Sequence, residues 1–419
     1  LQIWKTPQKI NIIYDVIFQR EYGMSQRILI TGASVAGNTA AWWLAHYGVE
    51  VELVERAPVF RDGGQNVDVR GNARDVLRKM GLEAAAFGYS TQEQGTDWVD
   101  EDNRVIARFE ATDSTTDNGP TAELEIRRGN LARIIHDAVC ERVNVRFGDH
   151  IAQVVQDDDG VDVTFDSGRT GRYAAVIAAE GVGSSTRELV FPDENRPRWM
   201  NLTIAYFSIP ATPQDGPYAR QYNTVGGRGA TLKPARDGKL GAYVGVHKTP
   251  ESEHHWDAAR QRQFIEQQFA HDGWEFPRIL EAMKTTDDFY FDVLRQVHMP
   301  RWCANRVALV GDAAWCPTPL TGIGTSLAMI GGYVIAGELA NGAAPGAAFA
   351  AYERIMRPYV KKGQRLPGIV PRILWPHTRF GLTFLQRAMR VAGSPLVKKL
   401  INNGFARASH ELELPSYRG

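Results

Sequence analysis

An α/β fold opening on a Rossmann-like dinucleotide-binding unit is what this sequence predicts, and three observations predict it. Ile28–Leu44, "ILITGASVAGNTAAWWL", is an apolar run, a tight glycine turn and an alanine-rich helical pattern. The following "VEVELVER" reads as a second strand ending in an acid, Glu55, at the distance from the turn that dinucleotide-binding units keep. Two later apolar strands, "VIAAEG" from Val176 and "RVALVGD" from Arg306, also run straight into glycine turns.

The first turn is G-x-S-x-x-G, with Gly32, Ser34 and Gly37. Gly32 allows the tight bend, Gly37 lets the helix approach the strand, and Ala36 between them counts with the cofactor-binding positions of the turn. Ser34 stands where a middle glycine would let the backbone near a pyrophosphate, and its hydroxyl adds a donor. The free N–H groups and partial positive charge of the helix start favour phosphates there. Glu55 is placed to accept both ribose hydroxyls, and Arg56 to face a phosphate. A nucleophile elbow, G-x-S-x-G, would need its second glycine one residue earlier. It would also need a late histidine at a strand end, and neither His377 nor His410 has that context. No second fingerprint follows, since "GGRGAT" (Gly226 to Thr231) leads into no apolar helix.

Size and composition are those of a globular protein of two or three packed units: 419 residues, 43% apolar and 23% charged. Forty-eight basic residues balance forty-eight acidic ones, so charge points to no nucleic acid. Cys140, Cys303 and Cys316 form no CxxC pair, which argues against a disulfide framework or a zinc site and fits the cytoplasm. The first 23 residues lack the apolar core and cleavage site of a signal peptide and read as a flexible extension. Thr321–Ala340, with Glu338 as its only charge, is long enough to span a membrane, but its five glycines favour a buried helix.

Two further stretches narrow the family. "VIAAEGVGSSTREL" (Val176 to Leu189) carries E-G-x-x-S-x-x-R after its strand, and "RVALVGDAAWCPTPLTGIGTSLAM" carries Gly311-Asp312, prolines and a glycine-rich entry to a helix. With the Gly32 turn they resemble, in order, the three signatures of the single-component FAD monooxygenases, the aromatic hydroxylase group. "GGQNVDVRG" (Gly63 to Gly71), "DDFYFD" (Asp287 to Asp292) and "AGEL" bring the likeness closest to the tetracycline destructases, whose relatives hydroxylate aromatic polyketides. Three positions depart from the family pattern: Glu180 for the usual aspartate, Trp315 for the usual histidine after GDAA, and Ser326 for the usual asparagine.

The resemblance implies an FAD-binding domain from 24–97, 125–200 and 295–350, an inserted β-sheet substrate domain from 98–124 and 201–294, and a helical C-terminal segment over 351–419. It implies noncovalent FAD, NADPH or NADH as reductant, and O2 added to an aromatic or polycyclic substrate through a flavin C4a-hydroperoxide. A monomer is compatible with it, and antibiotic degradation is among the roles it suggests. Asp312 would accept hydrogen bonds from ribityl hydroxyls, beside Gly311. Pro319 would wall the reactive carbon, while Gly322 and Gly324 let backbone near the ring and open a helix whose positive end favours the reduced flavin. Arg128, or its neighbour Arg127, would contact the cofactor, with Gly64 and Gln65 along the flavin edge. Asp68, Arg70 and His298 are the candidate substrate residues. "NVDVR" alternates like a strand, so Asp68 faces either the site or solvent. A non-catalytic flavoprotein or sensor with the same fold is the rival reading.

Other groups read as structural. Glu180 and Arg187 close the FAD domain, Trp42 and Trp43 pack a helix, and His254 and His255 lack further ligands at metal spacing. The halogenase motif WxWxIP is absent. From Ala351 to about Ala408 the chain reads helical, interrupted at Pro358, Pro367, Pro371, Pro376 and Pro395, and basic from Arg379 onward. Docking across the two domains is the expectation, with Phe384, Met389 and Val391 near the core; a membrane-surface helix is the alternative.

Overall fold

The computed structural model describes residues 27–61, 63–111, 124–236, 238–394 and 413–417. The expected extension, His410 and the basic positions Lys398, Lys399 and Arg407 lie outside them. The opening strand, Ile28–Thr31, sits at the centre of a six-stranded sheet because all four residues are apolar or small and buried on both faces. It pairs in parallel with Val51–Glu55 on one side and Ala175–Ala178 on the other. Val307–Leu309 extends the sheet beyond Ala175–Ala178, and Asn144–Phe147 extends it beyond Val51–Glu55. The ends of the central strands therefore gather Gly32, Glu55, Glu180 and Gly311 along one edge, where ligands of open α/β sheets bind.

Helix Val35–His46 covers this sheet with helix Gly324–Ala340 packed against it. Their closeness depends on Gly332: a Cβ there would lie 2.9 Å from the Ala36 carbonyl oxygen and 3.0 Å from the Ala40 nitrogen. The long apolar helix is thus a core element, and no described helix is long and apolar enough to cross a membrane. Trp42 and Trp43 are buried, and Trp43 meets Tyr333 edge-on at 4.8 Å.

A seven-stranded sheet faces this layer. Its order is Tyr290–Gln296, Arg198–Pro210, Lys239–His247, Arg228–Pro234, Tyr218–Thr224, Gly95–Val99 and Val105–Glu110, all antiparallel except the parallel pair Tyr218–Thr224 and Gly95–Val99. Helices Ala258–Phe269 and Phe276–Thr285 pack on its far side through Ile265, Phe269, Phe276 and Ile279. A two-stranded ribbon, Asn66–Asp68 with Glu125–Arg127, lies between the two sheets.

The C-terminal segment differs from expectation at two places. Pro358 does not interrupt helix Pro345–Gly363. It lies on the exposed face with Arg354, so water can satisfy the carbonyl it leaves without a donor. In helix Arg379–Ala392 the inward face is Leu382, Leu385 and Met389, whereas Phe384 and Val391 are exposed. Their i, i+7 spacing shares one stripe, but it is the outer one, because Leu385 is the residue that reaches the body of the protein.

Candidate active site

Gly32 has a φ of 98°, and a Cβ there would lie 2.4 Å from the Ala179 carbonyl oxygen; one on Gly37 would lie 1.9 Å from the Gly32 carbonyl oxygen. Only glycine permits this close crossing of two strands and a helix. The helix begins at Val35 after an extended Ser34, whose side chain makes no capping bond. Ser34 Oγ instead accepts a hydrogen bond from Arg128 Nη1 at 3.2 Å, while Arg128 Nη2 donates to the Gly63 carbonyl at 3.2 Å. Arg127 turns the other way, to Asp288 at 2.7 Å. Arg128 is therefore the arginine at the turn. The Glu55 carboxylate accepts from the Ala33 N–H at 2.9 Å and the Ala57 N–H at 2.8 Å, which fixes it at the mouth of the same turn beside Arg56.

Opposite the turn, Gly311 (φ 66°) ends its strand and Asp312 follows. Burial pushes the Asp312 carboxyl up against the pull of Arg128. The chain then passes Thr318 (φ 74°), a tight turn at Pro319–Thr321 and Gly322 (φ 69°) before helix Gly324–Ala340 begins. Ser326 ties this helix to the ribbon: its Oγ accepts from the Arg70 N–H and donates to the Asp68 carbonyl, both at 3.2 Å.

Between this loop and the seven-stranded sheet lies a cavity of about 560 Å³. Gln65, Asp68, Arg70, Arg128, Asp312, Pro319, Gly322 and Gly324 line it from the loop and ribbon side. Tyr206, Gln221, Lys233 and Tyr243 line it from the sheet, and Trp375 comes from the C-terminal segment. Its wall contains a charge cluster. Lys233 is paired with Glu125 and, at 3.3 Å, with Glu93. Burial lowers the lysine pKa, but the two carboxylates outweigh it and hold the ammonium well above the ordinary value. Asp68 Oδ2 lies 2.7 Å from Arg70 Nη2; burial raises this carboxyl more than Arg70 lowers it. The Tyr243 hydroxyl accepts from the Asn66 N–H at 2.6 Å and stands edge-on to Tyr206, which closes the cavity toward Ser208.

Comparison with known proteins decides the family. Residues 25–365 match the family model described as "FAD binding domain". A flavin-dependent monooxygenase of an unknown prokaryotic organism is 33% identical over 397 residues, covering 94% of this chain and 99% of its own. The chain belongs to the FAD-dependent monooxygenases. An uncharacterized protein of Mycobacterium tuberculosis is 36% identical over 354 residues, covering 82% of this chain and 94% of its own. The crystal structure of tetracycline destructase Tet(55) superposes with a TM-score of 0.77 at 32% identity, covering 94% of this chain and 99% of that one.

The residues present fit FAD. The backbone cradle at Gly32 and Gly37 admits no side chain, and Gln65 Oε1 and Thr318 Oγ1, on two sides of the cavity lining, are buried without hydrogen-bond partners. Gly64 has a φ of 119°, which favours glycine, and lies against the Arg128 guanidinium. Asp68 and Arg70 face the cavity rather than solvent.

His298 does not belong to this site. It lines a separate pocket and hydrogen-bonds Gln296 Oε1 at 3.1 Å, because the chain has left the edge strand at Gln296 and turned away from the sheet. Trp315 packs in the core with Trp302 at 4.5 Å. Glu180 folds back on its own motif, accepting from Ser184 Oγ and Thr186 Oγ1 at 2.6 Å and from the Thr186 N–H at 2.9 Å. Arg187, buried, donates to the Ala313 carbonyl at 3.1 Å and so fastens the third motif to the second. Lys233, Glu125, Gln221, Tyr243 and Trp375 are the site residues that sequence reasoning missed. The alternation in "GGRGATLKPARDGKLGAYVGVH" marks two faces of a hairpin, but which face meets the cavity depends on contacts over a hundred residues away, Tyr243 with Asn66 and Lys233 with Glu125.

Proposed function

We propose that the protein uses NADPH or NADH and O2 to hydroxylate an electron-rich fused-ring enol or phenol of the tetracycline and aromatic polyketide kind. The balance is one reduced nicotinamide, one proton and one O2 consumed, with one oxygen atom added to the substrate and one water released. The observation that carries this reading is the cavity between the Asp312–Gly324 loop and the sheet, large enough for a drug-sized ring system beside a flavin edge.

FAD would be held by the Gly32–Gly37 turn, Glu55 and Arg56 at its ADP half, and by Arg128, Asp312 and the start of helix Gly324–Ala340 nearer the ring. When bound, it supplies hydride acceptance and oxygen activation, chemistry no side chain here provides. The protein's own residues position and shield. Pro319 and Gly322 form a wall without a side-chain donor, and the closed Tyr206–Tyr243 end limits water, which favours transfer over loss of the oxidant. Lys233, its charge already met by Glu125 and Glu93, has an N–H left to donate to an enolic or phenolic oxygen of the substrate. No serine, cysteine or histidine nucleophile is required, and Trp315 in place of the usual histidine removes nothing from this scheme.

The test is nicotinamide oxidation by the FAD-loaded protein with tetracycline and related polyketides, with product mass read in parallel. The expected result is accelerated oxidation and a product one oxygen heavier. Oxidation that yields only hydrogen peroxide would make the compound an effector and point to a smaller phenol. No stimulation by any phenolic or polyketide compound, despite bound FAD, would favour the flavoprotein sensor.

A further inference from the structure

A second pocket, of about 500 Å³, shares no lining residue with the main cavity and adjoins the same loop. Its floor includes Ala314 and Trp315, the residues just before the Cys316–Gly324 run that faces the flavin side. Val297, Met299 and Trp302 form another wall, and Arg357, Val360 and Lys361 present one face of helix Pro345–Gly363, with Gln364 capping its end. The apolar members are buried, Trp302 and Trp315 to within 1% of full burial. Trp315 Nε1 has no hydrogen-bond partner, so it is a donor that an acceptor atom entering the floor would satisfy.

The rim is different in character. Glu194 is engaged by Arg301 at 2.6 Å, and Arg357 by Glu353 and the Met299 and Pro300 carbonyls. Arg196 and Lys361 are exposed and have no ion pair among the described residues; Asp193 is the single carboxylate left beside them. An apolar floor of two tilted, packed indoles under two unengaged cations suits a flat apolar body with an anionic end.

This pocket is also wired to the active-site loop. His298 on its wall hydrogen-bonds Gln296, whose Nε2 donates to the carbonyls of Pro317 and Gln364, each at 3.0 Å. Gln364 Nε2 in turn donates to the carbonyls of Val297 at 2.7 Å and Trp315 at 3.0 Å. Pro317 lines the main cavity, so a shift of either glutamine moves the backbone that leads into Pro319 and Gly322.

We propose that this pocket is a second small-molecule site that takes a planar aromatic carboxylate, and that its occupancy is transmitted through Gln296 and Gln364 to the flavin-facing loop. The probe is 2-naphthoate, titrated calorimetrically into FAD-loaded protein while the flavin absorbance is recorded. Binding is expected with a change in the flavin bands, weakened at least ~10-fold in the Arg196→Ala/Lys361→Ala variant and similarly for the neutral 2-naphthamide. Both substituted residues are exposed, so the variant should keep the fold. No binding at millimolar naphthoate overturns the site, and so does unchanged affinity in the double variant, which would put the ligand elsewhere. Binding with unaltered flavin bands overturns the coupling. The measurement needs no turnover, so it stands or falls separately from the proposed reaction.

Discussion

At the scale of single residues, two carboxylates carry most of what can be tested about cofactor binding. Asp312 lines the cavity, and Glu55 closes the turn with its oxygens on the Ala33 and Ala57 N–H groups. Removing either leaves hydroxyls or amides without an acceptor in a partly buried site, at about 1–3 kcal/mol each. Asp312→Ala and Glu55→Ala should each weaken FAD retention about 5- to 150-fold, read by fluorescence titration of the apoprotein. Equal retention in both variants would show that FAD is held elsewhere. Gly32, Gly37 and Glu55 were legible because the chemistry is local: a turn, a helix start and a strand end within one βαβ unit. Arg128 was legible only to within one position. Side-chain direction at the junction of a strand and a helix decided between it and Arg127, and sequence does not show direction.

At the scale of elements, the strap from Leu374 to His377 holds the C-terminal segment on the sheet. Asn223 Nδ2 donates to the Leu374 carbonyl at 2.8 Å, and the N–H groups of Gly226 and Gly227 donate to the carbonyls of His377 and Pro376, each at 3.0 Å. His247 Nδ1 lies 2.8 Å from His377 Nε2, so one ring must be neutral to share a proton. Burial first, then His377 and Arg372, lower the His247 pKa. A lowered histidine pKa means the folded state prefers the neutral ring. The stability it supports is therefore complete above the unfolded value, about 6.5, and is lost as pH falls through the folded value. The Gly226 and Gly227 amides should lose hydrogen-exchange protection between pH 7.5 and 5.5, after correction for intrinsic rates. In His377→Gln that pH step should shrink. Equal protection at both pH values would mean the histidine pair does not hold the strap. The exposed Phe384 and Val391 belong to this scale too: periodicity defines a stripe on a helix, and only docking says which stripe is inside.

At the scale of the whole molecule, the proposed FAD site draws on the six-stranded sheet, the Asn66–Asp68 ribbon and the Asp312–Gly324 loop, and the cavity beside it is bounded by the seven-stranded sheet. Cofactor binding should therefore stabilise the two layers together. With free FAD at about 100 times its Kd, linkage adds ~2.7 kcal/mol and should raise the unfolding midpoint by a few degrees in one shared transition. An unmoved midpoint would contradict binding to the native fold. The sequence by itself determined the α/β class, the dinucleotide turn, the glycine-rich loop and the family, because each is written in residues close together along the chain. Tertiary structure alone decided that Lys233, Glu125 and Trp375 meet at one cavity and that His298 and Trp315 line another. Those neighbours are set by strand register, by the hairpin face turned inward and by the direction the chain takes after Gln296. Such long-range packing choices leave no periodic trace in any one segment.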